Sequence, residues 1–170
     1  MQMIIRNQEE FVLLPKWLRD VVCHHCIDSC SPYRGGPRQN PIYIDVRTRV
    51  QGLETDLIVT CRSGSRNVRI GFELKETDIY KAIHQALVRR PLFHYFYIVL
   101  NMHVYNILTV LKGCRYTRDA LEHGIGFISS EDGCVVIKSY SRGNWMESRA
   151  YVYTLLQYIQ GREERGEENE

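Results

Sequence analysis

Between Ile42 and Leu100 the chain writes a definite order of periodicities, and that order limits the folds open to it. Ile42 to Val50 alternates apolar and polar residues, with Ile42, Ile44 and Val46 set against Tyr43, Asp45 and Arg47. This two-residue period belongs to a strand with one buried face. Thr55 to Cys61 (TDLIVTC) and Asn67 to Lys75 (NVRIGFELK) are again rich in strand formers, and the short polar turn RSGSR between them joins them as a hairpin. The period then changes. Asp78 to Arg90 places Ile79, Ile83, Ala86 and Leu87 on one helical face, with Thr77 or Asp78 as N-cap and Pro91 as terminator. Phe93 to Leu100 (FHYFYIVL) returns to an apolar strand. A hairpin-connected group that feeds a helix and then another strand predicts an α/β fold, a mixed central sheet flanked by helices.

The flanks are less regular. Gln8 to Cys26 reads as a helix with Phe11, Leu14, Leu18 and Val22 on one face. Pro15 interrupts it, either in the first turn of a shorter helix or as the kink of a longer one. Ser29 to Pro41 (SCSPYRGGPRQNP) is a loop by composition. After Leu100, Val104–Leu111 and Thr117–His123 look helical. Ile125–Ser129 and Val135–Ser139 look like short strands joined by the turn SEDG, and Trp145–Gln160 reads as a closing helix with Tyr151, Leu155 and Ile159 on one face. Residues 1–160 are expected to form one domain. The last ten residues, GREERGEENE, lack apolar side chains and read as a disordered acidic tail over 161–170.

Charge follows that division. The whole chain carries +2, but the tail holds −3 and leaves +5 on the first 160 residues. A basic body with an acidic tail suits a polyanionic partner, because neutralised phosphates release counterions. The opening MQMIIRNQEEF shows no basic stretch followed by an apolar run. No apolar run nears the roughly 20 residues of a membrane helix. An intracellular, cytoplasmic protein with no membrane partner is expected. In such a compartment the six cysteines favour free thiols or metal ligands over disulfides, hyperthermophiles excepted.

Two acids and a lysine stand out. Asp56 opens the second strand, and Glu73 and Lys75 lie near the end of the third. Residues two apart on a strand share a face, so Glu73 and Lys75 point one way and Phe72 and Leu74 the other. Hairpin pairing brings Asp56 to the same end of the sheet. Magnesium takes hard oxygen ligands and keeps several waters, so one or two carboxylates suffice to hold it. A lysine beside it can position a water or stabilise developing charge.

The run ETDLIV, the hairpin, GFELK, the helix IYKAIHQALVRR and the strand HYFYIVL together resemble the PD-(D/E)XK nuclease superfamily. The resemblance covers about residues 8–100 and rests on the order of elements more than on its short motifs. It implies a restriction endonuclease-like fold and a Mg²⁺- or Mn²⁺-dependent nuclease that acts on DNA, with a homodimer compatible. On this resemblance Asp56 and Glu73 are metal ligands, Lys75 is the catalytic lysine and Gln85 is the site-facing glutamine of the following helix. Glu9 or Glu10 would be an accessory ligand, and Lys81 would contact phosphate. Two residues depart from the pattern. Thr55 stands where a proline often precedes the aspartate, and Arg89 stands where helicase-associated members carry a tyrosine. The archaeal Holliday junction resolvase-like and restriction-like branches stay open.

Two further features accompany the motif. CHHCIDSC gathers Cys23, Cys26 and Cys30 with a Cys-x2-Cys spacing, which suits a structural Zn²⁺ but equally a packed helical stripe of thiols. The loop residues Arg34 and Arg38, together with Arg89 and Arg90 on the helix, are candidate phosphate contacts. Two other functions compete with a nuclease. One is a non-catalytic nucleic-acid-binding module on the same fold. The other is a zinc-stabilised interaction protein organised by Cys23–Cys30.

Overall fold

The computed structural model of the chain describes residues 1–75 and 77–141, with Thr154 and Gln157. Apart from those two residues, the expected closing helix and acidic tail lie outside the described residues. In chain order the elements are β1 (Gln2–Ile5), α1 (Gln8–Phe11), α2 (Lys16–His25), α3 (Ile27–Cys30), α4 (Gly36–Gln39), β2 (Ile42–Val50), β3 (Leu53–Ser63) and β4 (Arg66–Lys75). They continue with α5 (Ile79–Arg89), β5 (Tyr95–Leu100), α6 (Val104–Gly113), α7 (Thr117–Glu122), β6 (Ile125–Ser129) and β7 (Cys134–Ile137).

The seven strands form one sheet in sequence order. β1 to β4 are an antiparallel meander. β4, β5 and β6 run parallel, and β7 returns antiparallel. The parallel step from β4 to β5 needs a crossover, and α5 supplies it. The expected α/β architecture, a mixed sheet with helices, is therefore present.

Alternation along the strands sorts the core onto two faces. On one, Ile58, Phe96, Ile98, Leu100, Ile125 and Phe127 pack against Ile79, Ala82, Ile83 and Ala86 of α5 and against Ile107, Leu111, Ala120 and Leu121 of α6 and α7. On the other, Ile42, Ile44, Val59, Val68, Ile70, Phe72, Tyr97 and Val99 meet Phe11, Leu14, Leu18, Val21 and Val22. α2 ends against this second face. His25 stacks on Tyr95 with ring centroids 3.7 Å apart, and its Nε2 lies 2.6 Å from the buried Tyr97 hydroxyl. Burial first, and then the charges of Lys138 and His24, hold His25 neutral by lowering its pKa to about 3. The tyrosines of β5 are thus core residues.

Several expectations change. The single helix from Gln8 to Cys26 is two helices. Pro15, with no N–H to donate, sits at the N-cap of α2, while Asn7 caps α1 by accepting the Glu10 amide at 2.8 Å. The loop from Ser29 to Pro41 winds into single helical turns, with Gly35 at φ +85° between them, a backbone conformation other residues resist. Strand β1 had no expectation at all. The expectation for the cysteines is corrected. Cys23 is bridged to Cys30 and Cys26 to Cys61, leaving Cys114 and Cys134 as the free thiols among the described residues.

Arg90 is the clearest correction. Expected on a phosphate path, it is 1% exposed. Its guanidinium donates to the carbonyls of His123 at 2.7 Å, Phe93 at 2.7 Å, His94 at 3.1 Å and Tyr140 at 2.8 Å. Five donors in a planar fork let one side chain satisfy carbonyls from segments that no strand ladder reaches. Arg90→Met should lower unfolding free energy by about 3 kcal/mol or more, since each buried carbonyl left without a donor costs about 1–3 kcal/mol. Arg90→Lys should recover less than half of that loss in urea melts, because a lysine lacks the fork.

Candidate functional site

The site forms where β3 and β4 part. Their ladder runs from Ser63↔Arg66 to Leu57↔Phe72 and stops there. One residue further along β3 the Asp56 carboxylate takes over, its Oδ2 accepting the Leu74 amide at 2.9 Å. A side chain thus replaces a backbone acceptor and holds Asp56 beside the amide between Glu73 and Lys75. The sequence pattern placed these three residues at one end of the sheet, and the structure brings them together.

Glu73 projects toward the α5 face, two residues after Gly71. Gly71 has no side chain for a reason of space: a Cβ there would lie 2.7 Å from the Phe96 ring. Glu73 is 3% exposed. Lys75 Nζ stands 3.8 Å from its Oε1 and Arg89 Nε 3.8 Å from its Oε2. Burial raises the Glu73 pKa above its ordinary value, and the charge of Asp56 pushes the same way, while Arg89 and Lys75 oppose. The carboxylate is held at a cost its two cations do not fully offset.

α5 supplies the other wall. Asp78 caps it by accepting the Lys81 amide at 3.1 Å, one of the two caps expected. Lys81, Gln85 and Arg89 follow at four-residue intervals on one stripe. Lys81 is exposed. Arg89 turns inward. Its Nε donates to the Glu54 carbonyl at 2.7 Å and its Nη1 to the Gln85 carbonyl at 3.0 Å, which fastens it inside the site beside Glu73.

Three buried side-chain oxygens have no hydrogen-bond partner among the described residues: Thr55 Oγ1, Glu73 Oε2 and Gln85 Oε1. Buried polar atoms are rarely left so, and each one calls for an explanation such as a water or an ion. All three belong to this site or adjoin it. In the sequence Thr55 stands out only as the residue in place of a proline. Its buried hydroxyl had no signal there.

The remaining candidates lie elsewhere. Ile5 pairs with Ile42, and Tyr43 with Thr60, so α1 begins at the Cys61 end of β3. That is five residues from Asp56, about 17 Å along a strand. Glu9 and Glu10 are therefore not at the Asp56 end. Glu10 instead accepts the Arg6 amide at 2.9 Å. Arg34 and Arg38 belong to the same far end, where Ser29 Oγ accepts the Arg62 amide at 3.0 Å and Arg34 Nη1 pairs with Asp28 Oδ1 at 2.7 Å. The late histidines also have local partners. His103 sits 2.7 Å from Asp132, and His123 lies 3.3 Å from Asp119.

Among the described residues no group of three or more His, Cys, Asp or Glu side chains stands together as a ready metal site. The site offers two carboxylates, Asp56 and Glu73, which are oxygen donors of the kind a hard cation takes while retaining its waters. No helix among the described residues is long and apolar enough to cross a membrane. No family model matches the chain, and comparison with curated proteins and with solved structures finds no significant similarity.

The buried charge has a measurable consequence. A raised pKa means the folded state holds the Glu73 proton more tightly than the unfolded chain does. That contribution is present below the ordinary value of 4.5 and is lost as pH rises through the raised one. At neutral pH in EDTA, Glu73→Gln should therefore melt at a higher temperature than the parent protein, and the gap should close as pH falls toward 4.5.

Proposed function

We propose that this chain is a metal-dependent nuclease with a restriction endonuclease-like core, hydrolysing phosphodiester bonds in DNA. The observation that carries the reading is the Asp56–Glu73 carboxylate pair at the end of the β3–β4 ladder, with buried oxygens on Thr55, Glu73 and Gln85 that have no hydrogen-bond partner among the described residues. The order β2, β3, β4, α5, β5, an antiparallel meander and then a parallel crossover, supports it. So does the positive charge of the body, +5 over the first 160 residues.

Asp56 and Glu73 would hold Mg²⁺ or Mn²⁺, which lowers the pKa of a bound water and neutralises charge on the scissile phosphate. Lys75, partly exposed and on the Glu73 face, can donate to an attacking water and set its positive charge beside the phosphate. Gln85 Oε1 can accept from that water or from a neighbour of it. Lys81, one turn earlier and exposed, meets the DNA backbone and carries no sequence information.

A second reading has one observation in its favour. Arg89 already sets a cation 3.8 Å from Glu73, where a metal would otherwise balance the charge. A non-catalytic nucleic-acid-binding module on the same fold would use Arg89 that way. Labelled single-stranded, duplex and four-way-junction DNA, incubated with Mg²⁺, Mn²⁺ or EDTA, separates the two. Metal-dependent cutting that falls about 100-fold or more in both Asp56→Ala and Lys75→Ala supports the nuclease. DNA binding without cutting, unchanged in both variants, supports the module.

A further inference from the structure

Four cysteines meet at the end of β3 opposite Asp56. Cys23 and Cys26 lie at the end of α2, Cys30 closes α3, and Cys61 comes from β3. Two disulfides join them, Cys23–Cys30 with Cα atoms 5.2 Å apart and Cys26–Cys61 with Cα atoms 5.8 Å apart. The pairs are interleaved rather than separate. Cys26 stands between the partners of the other bridge, and its carbonyl accepts the Cys30 amide at 3.1 Å. Helical geometry puts the Cα atoms of Cys23 and Cys30 each about 5–6 Å from that of Cys26. Sulfurs about 2.3 Å from a tetrahedral zinc are about 3.7 Å from one another. Backbone spacings of this size accept either two sulfur–sulfur bonds or four sulfurs around one ion.

We propose that Cys23, Cys26, Cys30 and Cys61 form an exchangeable staple: two disulfides when oxidised, and one tetrathiolate zinc site when reduced. Each disulfide takes two electrons and two protons from an external dithiol, which leaves as its own disulfide. The four thiols then bind Zn²⁺ and release their protons to solvent. Cys23 is exposed and gives the dithiol its entry, whereas Cys26 and Cys61 are buried and are reached by exchange from the first bridge. The resulting site carries two negative charges. In both states α3 stays tied to β3. The staple stands apart from the carboxylate site and does not depend on the nuclease reading.

The test uses the full chain, reduced with dithiothreitol, desalted under nitrogen and titrated with Co²⁺. The expected result is one thiolate-bound Co²⁺ per chain, read from the intense d–d and thiolate charge-transfer bands of a tetrahedral sulfur site and displaced by one Zn²⁺. Protein oxidised with diamide, lighter by the four hydrogens of two disulfides, should show none of these bands. Cys61→Ser should weaken binding by about 100-fold or more, beyond the cost of losing an outer partner. Cys23→Ser, at the exposed helix end, serves if the buried variant does not fold. Asp56→Ala should develop the thiolate bands as the parent does. Reduced protein whose mass shows all six thiols but which develops no thiolate–cobalt bands overturns the proposal. So do bands that neither serine variant weakens, or bands that disappear with Asp56→Ala.

Discussion

The end of the β3–β4 ladder, where the Asp56 carboxylate replaces a backbone acceptor for the Leu74 amide, is the constraint on which the site depends. Strands that stayed paired would leave no gap between Asp56 and Glu73. Parting costs backbone hydrogen bonds, and one side-chain oxygen at 2.9 Å recovers one of them. The same contact sets Asp56 near Glu73, so that the Asp56 charge opposes the ionisation of Glu73. Stability alone would favour an apolar pair here. Two acids, a lysine and an arginine meet here instead.

α5 carries the consecutive arginines Arg89 and Arg90 to opposite ends of this problem. Arg89 reaches into the site, anchored on the carbonyls of Glu54 and Gln85. Arg90 turns away and gathers carbonyls from His123, Phe93, His94 and Tyr140, tying the end of α5 to segments far along the chain. The helix that walls the site is thus fastened at its C-terminal end by charge-assisted hydrogen bonds as well as by its apolar face, which limits how far Gln85 and Arg89 can drift from Glu73.

Much of this was legible in the sequence wherever a local period governed. The alternation from Ile42 to Val50, the hairpin turn, the helical stripe of Ile79, Ile83 and Ala86, and the placing of Asp56, Glu73 and Lys75 at one sheet end all follow from spacing of a few residues. What was not legible depends on partners remote in sequence. Arg90 reads as a surface cation until the carbonyls of His123 and Tyr140, 33 and 50 residues on, are folded around it. Cys26 and Cys61 are 35 residues apart and share no motif. Glu9 and Glu10 could be assigned to the site only while the pairing of β1 with β2 was unknown, since that pairing puts α1 at the Cys61 end. β1 itself is a four-residue edge strand, too short for its period to show.

On the proposed function, Asp56 and Glu73 bind a divalent cation in the absence of DNA. Titration of the reduced chain with Mn²⁺, followed by the loss of the free-ion electron paramagnetic resonance signal, measures this directly once Cys23→Ser has removed the thiolate alternative. One bound Mn²⁺ per chain is expected, competed by Mg²⁺, abolished by Asp56→Ala and tightened by Arg89→Met, which withdraws the competing cation. No bound Mn²⁺ in either the parent or the Arg89→Met chain would contradict it and leave the carboxylates as partners of Arg89 and Lys75 alone.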